Sequence, residues 1–88
     1  MKELNIILTE LGISKVRLAK YLGVSRQMLY NYLAIENLDE WPKEKSAKLF
    51  SLLNIENKEE LNNIKITGEY IIDVEHRLKE GVKDSSNK

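Results

Sequence analysis

The chain has 88 residues, with 14 basic and 14 acidic side chains and no cysteine. This length suits one small domain, and the lack of cysteine excludes disulfide bonds and cysteine-based metal sites. We therefore expect a cytoplasmic protein, and no apolar run is long enough to predict a signal peptide or a membrane span.

The zero net charge hides an uneven distribution. Residues 14–33 hold four basic side chains and no acid, whereas residues 34–40 hold three acids and no base. Beyond residue 54 the acids outnumber the bases by eight to six. Because a polyanion responds to charges within a Debye length of about 8–10 Å, residues 14–33 form a local basic patch.

The beginning of the chain predicts two helices. Apolar residues spaced three and four apart predict a helix over residues 2–11 that is closed by Gly12. A second helix follows up to Leu22, with Ser14 as its N-cap and Gly23 as the left-handed residue that ends it.

A third helix is predicted after Ser25, its N-cap, and ends near Leu33. If each residue turns the helix by about 100° and Arg26 is set at zero, Tyr30, Gln27 and Asn31 lie at about 40°, 100° and 140°. The opposite arc is predicted to anchor the helix in the core, through Met28, Leu29, Tyr32 and Leu33.

The middle of the chain predicts a loop and two further helices. Residues 34–41 form the loop, and Pro42 is placed at the first position of a fourth helix that runs to about Leu53. Asn57 and Glu60 have the spacing of a capping box, which predicts the start of a fifth helix.

Two interpretations stay open for the C-terminal segment. Residues 69–80 fit a helix with Ile71, Val74 and Leu78 on one face. Residues 64–74 also alternate in the way that a β-hairpin requires. The polar residues 83–88 are predicted to form a disordered tail.

The polar face of the third helix has the chemistry of base recognition. Arginine binds guanine O6 and N7 together, and glutamine or asparagine binds adenine N6 and N7. An ordinary solvated surface is the alternative for this face. The candidate base-reading residues are Arg26, Gln27, Tyr30 and Asn31.

Residues 15–34 resemble the helix-turn-helix of phage repressors and Cro proteins, which belong to the xenobiotic-response-element family of bacterial regulators. Residues 12–14, Pro42 and residues 52–55 match the surrounding frame, so the resemblance covers residues 2–55. It implies an all-α, lambda-repressor-like bundle of four to five helices with the third helix in the major groove of operator DNA. The residues that carry the resemblance are Leu18, Ala19, Leu22, Gly23, Val24, Ser25, Leu29 and Tyr32.

The resemblance also implies contacts to DNA phosphates. Lys15 falls where the family commonly contacts a phosphate, and two N-capping serines lie where helix N–H groups meet phosphates. The loop of residues 34–41 is acidic, unlike the basic loops common in the family, so either it points away from DNA or the backbone contact passes to the lysines of the fourth helix, Lys48 among them. The predicted phosphate contacts are Ser14, Lys15, Arg17, Ser25, Lys43 and Lys45.

The family usually binds palindromic or repeated sites on double-stranded DNA as a homodimer. We accordingly divide the chain into a DNA-binding domain (residues 1–56), a C-terminal helical dimerisation arm (residues 57–82) and the tail. The apolar residues of the arm are predicted to form the dimer contact: Ile66, Tyr70, Ile71, Val74 and Leu78.

The expected function is that of a sequence-specific transcriptional regulator, a repressor of phage, plasmid or bacterial type. The alternative is a DNA-anchoring or partner-binding module of a larger assembly, such as an antitoxin or a partition or packaging component, with a protein partner on the arm. We recognise no nucleophile–base pair, no glycine-rich phosphate loop and no metal-ligand set, so no enzymatic activity, metal or cofactor is expected.

Overall fold

The computed structural model describes residues 2–82, which contain five α-helices, two 3₁₀ segments and no strand. The prediction of a small all-α bundle is confirmed. The predicted tail, residues 83–88, lies outside the described residues. The helices are α1 (Lys2–Leu11), α2 (Lys15–Leu22), α3 (Arg26–Ala34), α4 (Lys43–Leu53) and α5 (Gly68–Val82), and the 3₁₀ segments are Leu38–Glu40 and Lys58–Asn63.

The predicted caps set the boundaries of α2 and α3. The hydroxyl oxygens of Ser14 and Ser25 accept the backbone N–H groups of Arg17 and Met28, at 3.2 and 3.0 Å. Gly23 adopts a left-handed φ of 77°, and its N–H donates to carbonyls of the last turn of α2. Orphan backbone groups are thus satisfied at both sides of the turn, and α3 leaves α2 in a new direction.

α2 lies at the centre of one hydrophobic core and contacts α3, α4 and α5. Full burial of a leucine or valine side chain contributes about 1.5–3 kcal/mol, so these contacts hold the bundle together. No helix among the described residues is long and apolar enough to cross a membrane. The most buried side chains are Leu4, Leu18, Leu22, Leu29, Leu49, Leu52, Leu53, Val74 and Leu78.

The start of α4 differs from the prediction by one residue. Pro42 has an extended backbone, with ψ at 136°, and the helix begins at Lys43. The Pro42 carbonyl accepts the first helical hydrogen bonds, from the N–H groups of Lys45 and Ser46. Proline therefore precedes the helix instead of occupying its first turn.

The fifth helix predicted from Asn57 is instead the 3₁₀ segment Lys58–Asn63. Asn57 makes no side-chain cap, and the Glu60 carboxylate accepts the N–H of Glu56 at 3.2 Å. Leu61 is the only buried side chain of the segment. One apolar residue gives no helical stripe to pack, so a short 3₁₀ connection forms.

The C-terminal segment is helical, and the β-hairpin alternative for residues 64–74 is wrong. The hydroxyl of Thr67 accepts the N–H of Tyr70 at 3.1 Å, and the Thr67 carbonyl accepts that of Ile71 at 3.0 Å. These bonds start α5, and its apolar positions then meet the core at helical spacing.

α5 also closes the end of α4. The Tyr70 hydroxyl donates to the carbonyl of Leu53 at 2.6 Å, and Arg77 Nε donates to that of Leu52 at 2.8 Å. A cation at the negative end of a helix is favourable, and both bonds satisfy carbonyls that have no partner within α4. Burial raises the pKa of Tyr70, an effect that the nearby charge of Arg77 partly offsets.

The prediction that Val74 and Leu78 contact a second copy is wrong. Their side chains are 0% and 1% exposed, because they pack inside the core of their own chain. Ile66, Tyr70 and Ile71 are half-buried against the same core. The segment expected to form a separate arm therefore supplies two central core residues.

Candidate nucleic-acid interface

A narrow apolar stripe anchors α3. Leu29 and Leu33 are buried, and the half-buried ring of Tyr32 lies 5.1 Å from that of Trp41. Trp41 is 3% exposed, and its Nε1 donates to the Tyr32 carbonyl at 3.0 Å. Trp41 therefore covers the core beside Pro42, and it holds the inner side of α3.

The structure brings the four predicted base-reading residues together on the outer side of α3. Arg26, Gln27, Tyr30 and Asn31 are all exposed, Tyr30 by 47%. The face offers guanidinium and amide donors, amide acceptors and a phenol, and it has no carboxylate. It can form hydrogen bonds with base edges or with any other planar polar ligand.

Met28 belongs to the exposed face, and the prediction that it anchors the helix is wrong. Its side chain is 43% exposed. Leu29 and Leu33 suffice as a contact stripe, and Met28 is turned away from Leu29 by about 100°. The helix wheel places Met28 on the arc opposite Arg26, although it lies only about 60° from Asn31.

Lys15 and Lys43 remain candidates for phosphate contacts. They are the first residues of α2 and α4, Lys15 half-exposed and Lys43 exposed. Ser14 and Ser25 are exposed N-caps whose oxygens already accept a backbone N–H. A serine hydroxyl in this position still has its proton to donate, so both serines keep one hydrogen bond for an anion.

Arg17, a predicted phosphate contact, is instead paired with Glu75 of α5. Its Nη1 and Nη2 donate to the two carboxylate oxygens at 3.0 and 2.7 Å. The hydrogen bonds from Arg17 lower the pKa of Glu75, and the pKa of Arg17 is raised in turn. Two-point pairs between guanidinium and carboxylate groups are strong for a surface contact, so a phosphate contact by Arg17 would require this pair to open.

Lys45 is likewise engaged within the chain. Its Nζ donates to the carbonyl of Leu22 at 2.9 Å, where it satisfies the C-terminal end of α2. Lys48 Nζ lies 5.5 Å from the ring centroid of Tyr21, within cation–π range. A phosphate contact by Lys45 would require it to leave the Leu22 carbonyl, whereas Lys43 has no such bond among the described residues.

The acidic loop after α3 is tied to the second 3₁₀ segment. Lys58 Nζ donates to Asn37 Oδ1 and to Asp39 Oδ2, both at 2.8 Å. The hydrogen bond with Asp39 raises the pKa of Lys58. The Lys58 ammonium therefore compensates one carboxylate of the acidic loop.

Among the described residues, no group of three or more histidine, cysteine, aspartate or glutamate side chains is arranged to hold a metal ion. Comparison with protein-family models, curated proteins and solved structures finds no significant match to this chain. The exposed face of α3, together with Lys15 at the start of α2 and Lys43 at the start of α4, is therefore the feature of the fold that bears on function.

Proposed function

We propose that this protein binds double-stranded DNA in a sequence-specific manner, with α3 in the major groove, and acts as a transcriptional repressor. The observation that carries the proposal is the exposed cluster of Arg26, Gln27, Tyr30 and Asn31 on a helix whose inner side is fixed by Leu29. Side chains that read base edges need this combination of exposure and a rigid backbone.

Charge supports the same proposal. Once Arg17 is paired with Glu75, the stretch of residues 14–33 still holds Lys15, Lys20 and Arg26, with no acid of its own. A basic surface next to the recognition helix attracts the DNA backbone, whatever its sequence. The proposed activity needs no catalytic group, metal or cofactor, and its place is the cytoplasm.

A palindromic or repeated site is part of the proposal. Two copies would place their recognition helices about one DNA turn apart, ~34–36 Å. Because Val74 and Leu78 are buried, three of the predicted dimer-contact residues remain accessible to a second copy: Ile66, Tyr70 and Ile71.

Selection of bound duplexes from a random pool, followed by titration of the selected and scrambled sites, tests the proposal. Arg26→Ala and Gln27→Ala should each weaken binding to the selected site by about 1–3 kcal/mol and relax the preference at one base pair. Binding to the scrambled site should change less, because base contacts contribute little there.

Lys65→Ala is the matched control for Arg26→Ala. Lys65 is an exposed cation outside α2 and α3, so its loss should leave the ratio of the two affinities unchanged. An enrichment that fails to converge on any sequence, or an unchanged ratio in both α3 variants, would overturn the proposal.

The second candidate function is a partner-binding module of a larger assembly. It is favoured by Ile72, which is 68% exposed on α5 next to the exposed acid Asp73. The two functions differ in what the protein binds: a repressor should bind a short palindromic or repeated site without another protein, whereas a module of a larger assembly should copurify with a protein partner. Ile72→Asp should abolish binding of a protein partner without changing affinity for DNA.

A further inference from the structure

We infer that Met28 contacts the 5-methyl group of a thymine and is thus a fifth base-reading side chain of α3. The inference rests on the proposed function, and it names one chemical feature that the interface reads. It starts from an apolar side chain that the fold leaves exposed at the edge of the polar face of α3.

The position of Met28 is well defined. Its backbone N–H donates to the hydroxyl oxygen of Ser25 at 3.0 Å, which places Met28 in the first turn of α3. The N-terminal residues of a recognition helix are those that contact base edges. With 43% of its surface exposed, the side chain is accessible to a ligand that meets this turn.

Asn31 is the exposed side chain nearest to Met28 on the helix wheel, and Gln27 lies beyond Asn31 on the same side. On the helix wheel Met28 is about 60° from Asn31 and about 100° from Gln27. Tyr30, which carries a phenol, is the other large side chain of this kind that is exposed on α3. The remaining exposed ones lie on other helices: Ile6 on α1, Val16 on α2 and Ile72 on α5. Met28 is the large exposed apolar side chain that lies next to a candidate adenine-binding group, Asn31.

An A·T pair presents both a polar group for an amide side chain and an apolar group for Met28. An amide that binds adenine N6 and N7 meets a base pair whose thymine presents its methyl group in the same groove. The thioether of methionine is flexible and polarisable, so it adapts to an apolar group beside a polar contact. An A·T pair would be distinguished from the other pairs by two contacts. Gln27 or Asn31 would bind adenine, and Met28 would contact the thymine methyl group of the same or the adjacent pair.

Replacement of thymine by deoxyuridine isolates this contact. Deoxyuridine lacks the 5-methyl group but keeps every hydrogen-bonding group, and each thymine of the selected site is replaced in turn. For the unchanged protein we expect one position at which affinity falls about three- to five-fold, the effect of losing one buried methyl group. In Met28→Ala that penalty should vanish, while binding to the thymine site falls by a similar factor.

Two controls keep the result interpretable. Met28→Leu preserves an apolar side chain and should retain most of the deoxyuridine penalty. Ile72→Ala removes a more exposed apolar side chain outside α3 and should leave the penalty unchanged.

The outcomes separate this inference from the proposed function. Specific binding with an equal deoxyuridine penalty in Met28→Ala and the unchanged protein would overturn the role of Met28 and leave the proposed function standing. Specific binding without a sensitive thymine would do the same. Absence of specific binding would overturn both.

Discussion

Lys15 and Arg17 lie two residues apart at the start of α2, yet only Arg17 has a carboxylate partner among the described residues. An unpaired lysine at a DNA interface releases a counterion when it meets a phosphate, and each such contact adds about one to the salt slope of binding. We therefore expect Lys15→Ala to reduce the slope by roughly one and Arg17→Ala to leave it unchanged. Titrations of selected DNA at several salt concentrations measure both slopes.

Glu75→Gln tests the opposite change to Lys15→Ala and Arg17→Ala in the salt dependence of DNA binding. It removes the charge that holds Arg17, so the guanidinium becomes available to DNA and the salt slope should steepen. Identical slopes for Lys15→Ala and the unchanged protein would exclude Lys15 from the interface. A reduced slope for Arg17→Ala would show that the pair with Glu75 breaks on DNA.

The lowered pKa of Glu75 predicts that the stability of the fold depends on pH. Its pKa is lowered in the folded protein, first by the hydrogen bonds from Arg17, so folding favours the ionised carboxylate. The resulting stability is present above the unfolded pKa of about 4.3 and is lost as pH falls through the lower folded value. The pair is partly exposed, which limits its contribution to about 0.5–1 kcal/mol.

Thermal or urea unfolding of the unchanged protein and of Glu75→Gln between about pH 6 and pH 3 measures this contribution. The difference in the free energy of unfolding should be largest near pH 6 and should shrink in acid. Glu69→Gln is the control, because Glu69 is exposed and no ion pair involves it among the described residues. A constant difference across this range would contradict the assigned pKa shift.

At the scale of the helices, Gly81 of α5 lies against Tyr21 of α2. A Cβ atom at this position would overlap the ring of Tyr21, which is 8% exposed. Glycine to alanine within a helix normally stabilises it by roughly 0.5–1 kcal/mol. At Gly81 the overlap should reverse the sign, and we expect Gly81→Ala to destabilise the protein by about 1–3 kcal/mol.

Gly68→Ala is the matched control at the other end of α5. Within the described part of the chain, no atom beyond the neighbouring residues and the local helix backbone lies within 4 Å of the Cβ position at Gly68, so this variant should be neutral or slightly stabilising. In a Tyr21→Ala background the penalty of Gly81→Ala should disappear, and chemical denaturation of the four proteins of the cycle tests this. A penalty that persists without the Tyr21 ring would refute the close contact.

Sequence reasoning succeeded where a local rule decides the structure. Ser14, Gly23 and Ser25 each cap a helix through their own backbone or side chain, so the boundaries of α2 and α3 followed from single residues. It failed where a distant partner decides. Arg17 and Glu75 are 58 residues apart, and no local pattern indicates their contact.

The exposed face of α3 illustrates both limits. Its four polar residues were predicted because helical periodicity alone separates them from Leu29. The exposure of Met28 was not predicted, because the helix wheel gives the angle of each side chain but not the width of the stripe that the core buries. The 3₁₀ segment Lys58–Asn63 was missed for the opposite reason, because a capping pattern was present without an apolar stripe to sustain a helix.

The whole molecule depends on α5 more than the sequence suggested. α5 supplies the buried residues Val74 and Leu78, closes the end of α4 through Tyr70 and Arg77, and pairs Glu75 with α2. Removal of the chain after Ile64 should therefore abolish the cooperative unfolding transition instead of leaving a folded, monomeric domain.

Leu78 offers the sharpest test of whether α5 is core or interface. Leu78→Ala removes a side chain that is 1% exposed within one chain, and such a change costs about 2–5 kcal/mol. If the cost is intramolecular, the fall in melting temperature should be the same at every protein concentration. If Leu78 held two copies together, its loss would instead weaken the concentration dependence of the melting temperature.

Ile72→Ala is the companion variant on the same helix. Ile72 is 68% exposed, so its truncation should change the free energy of unfolding by no more than about 0.5 kcal/mol. Melting curves over a hundred-fold range of protein concentration, together with sedimentation of each variant, separate the two cases. A large effect at Ile72 and a small one at Leu78 would mean that the exposed side of α5, and not its buried side, is held by a second copy.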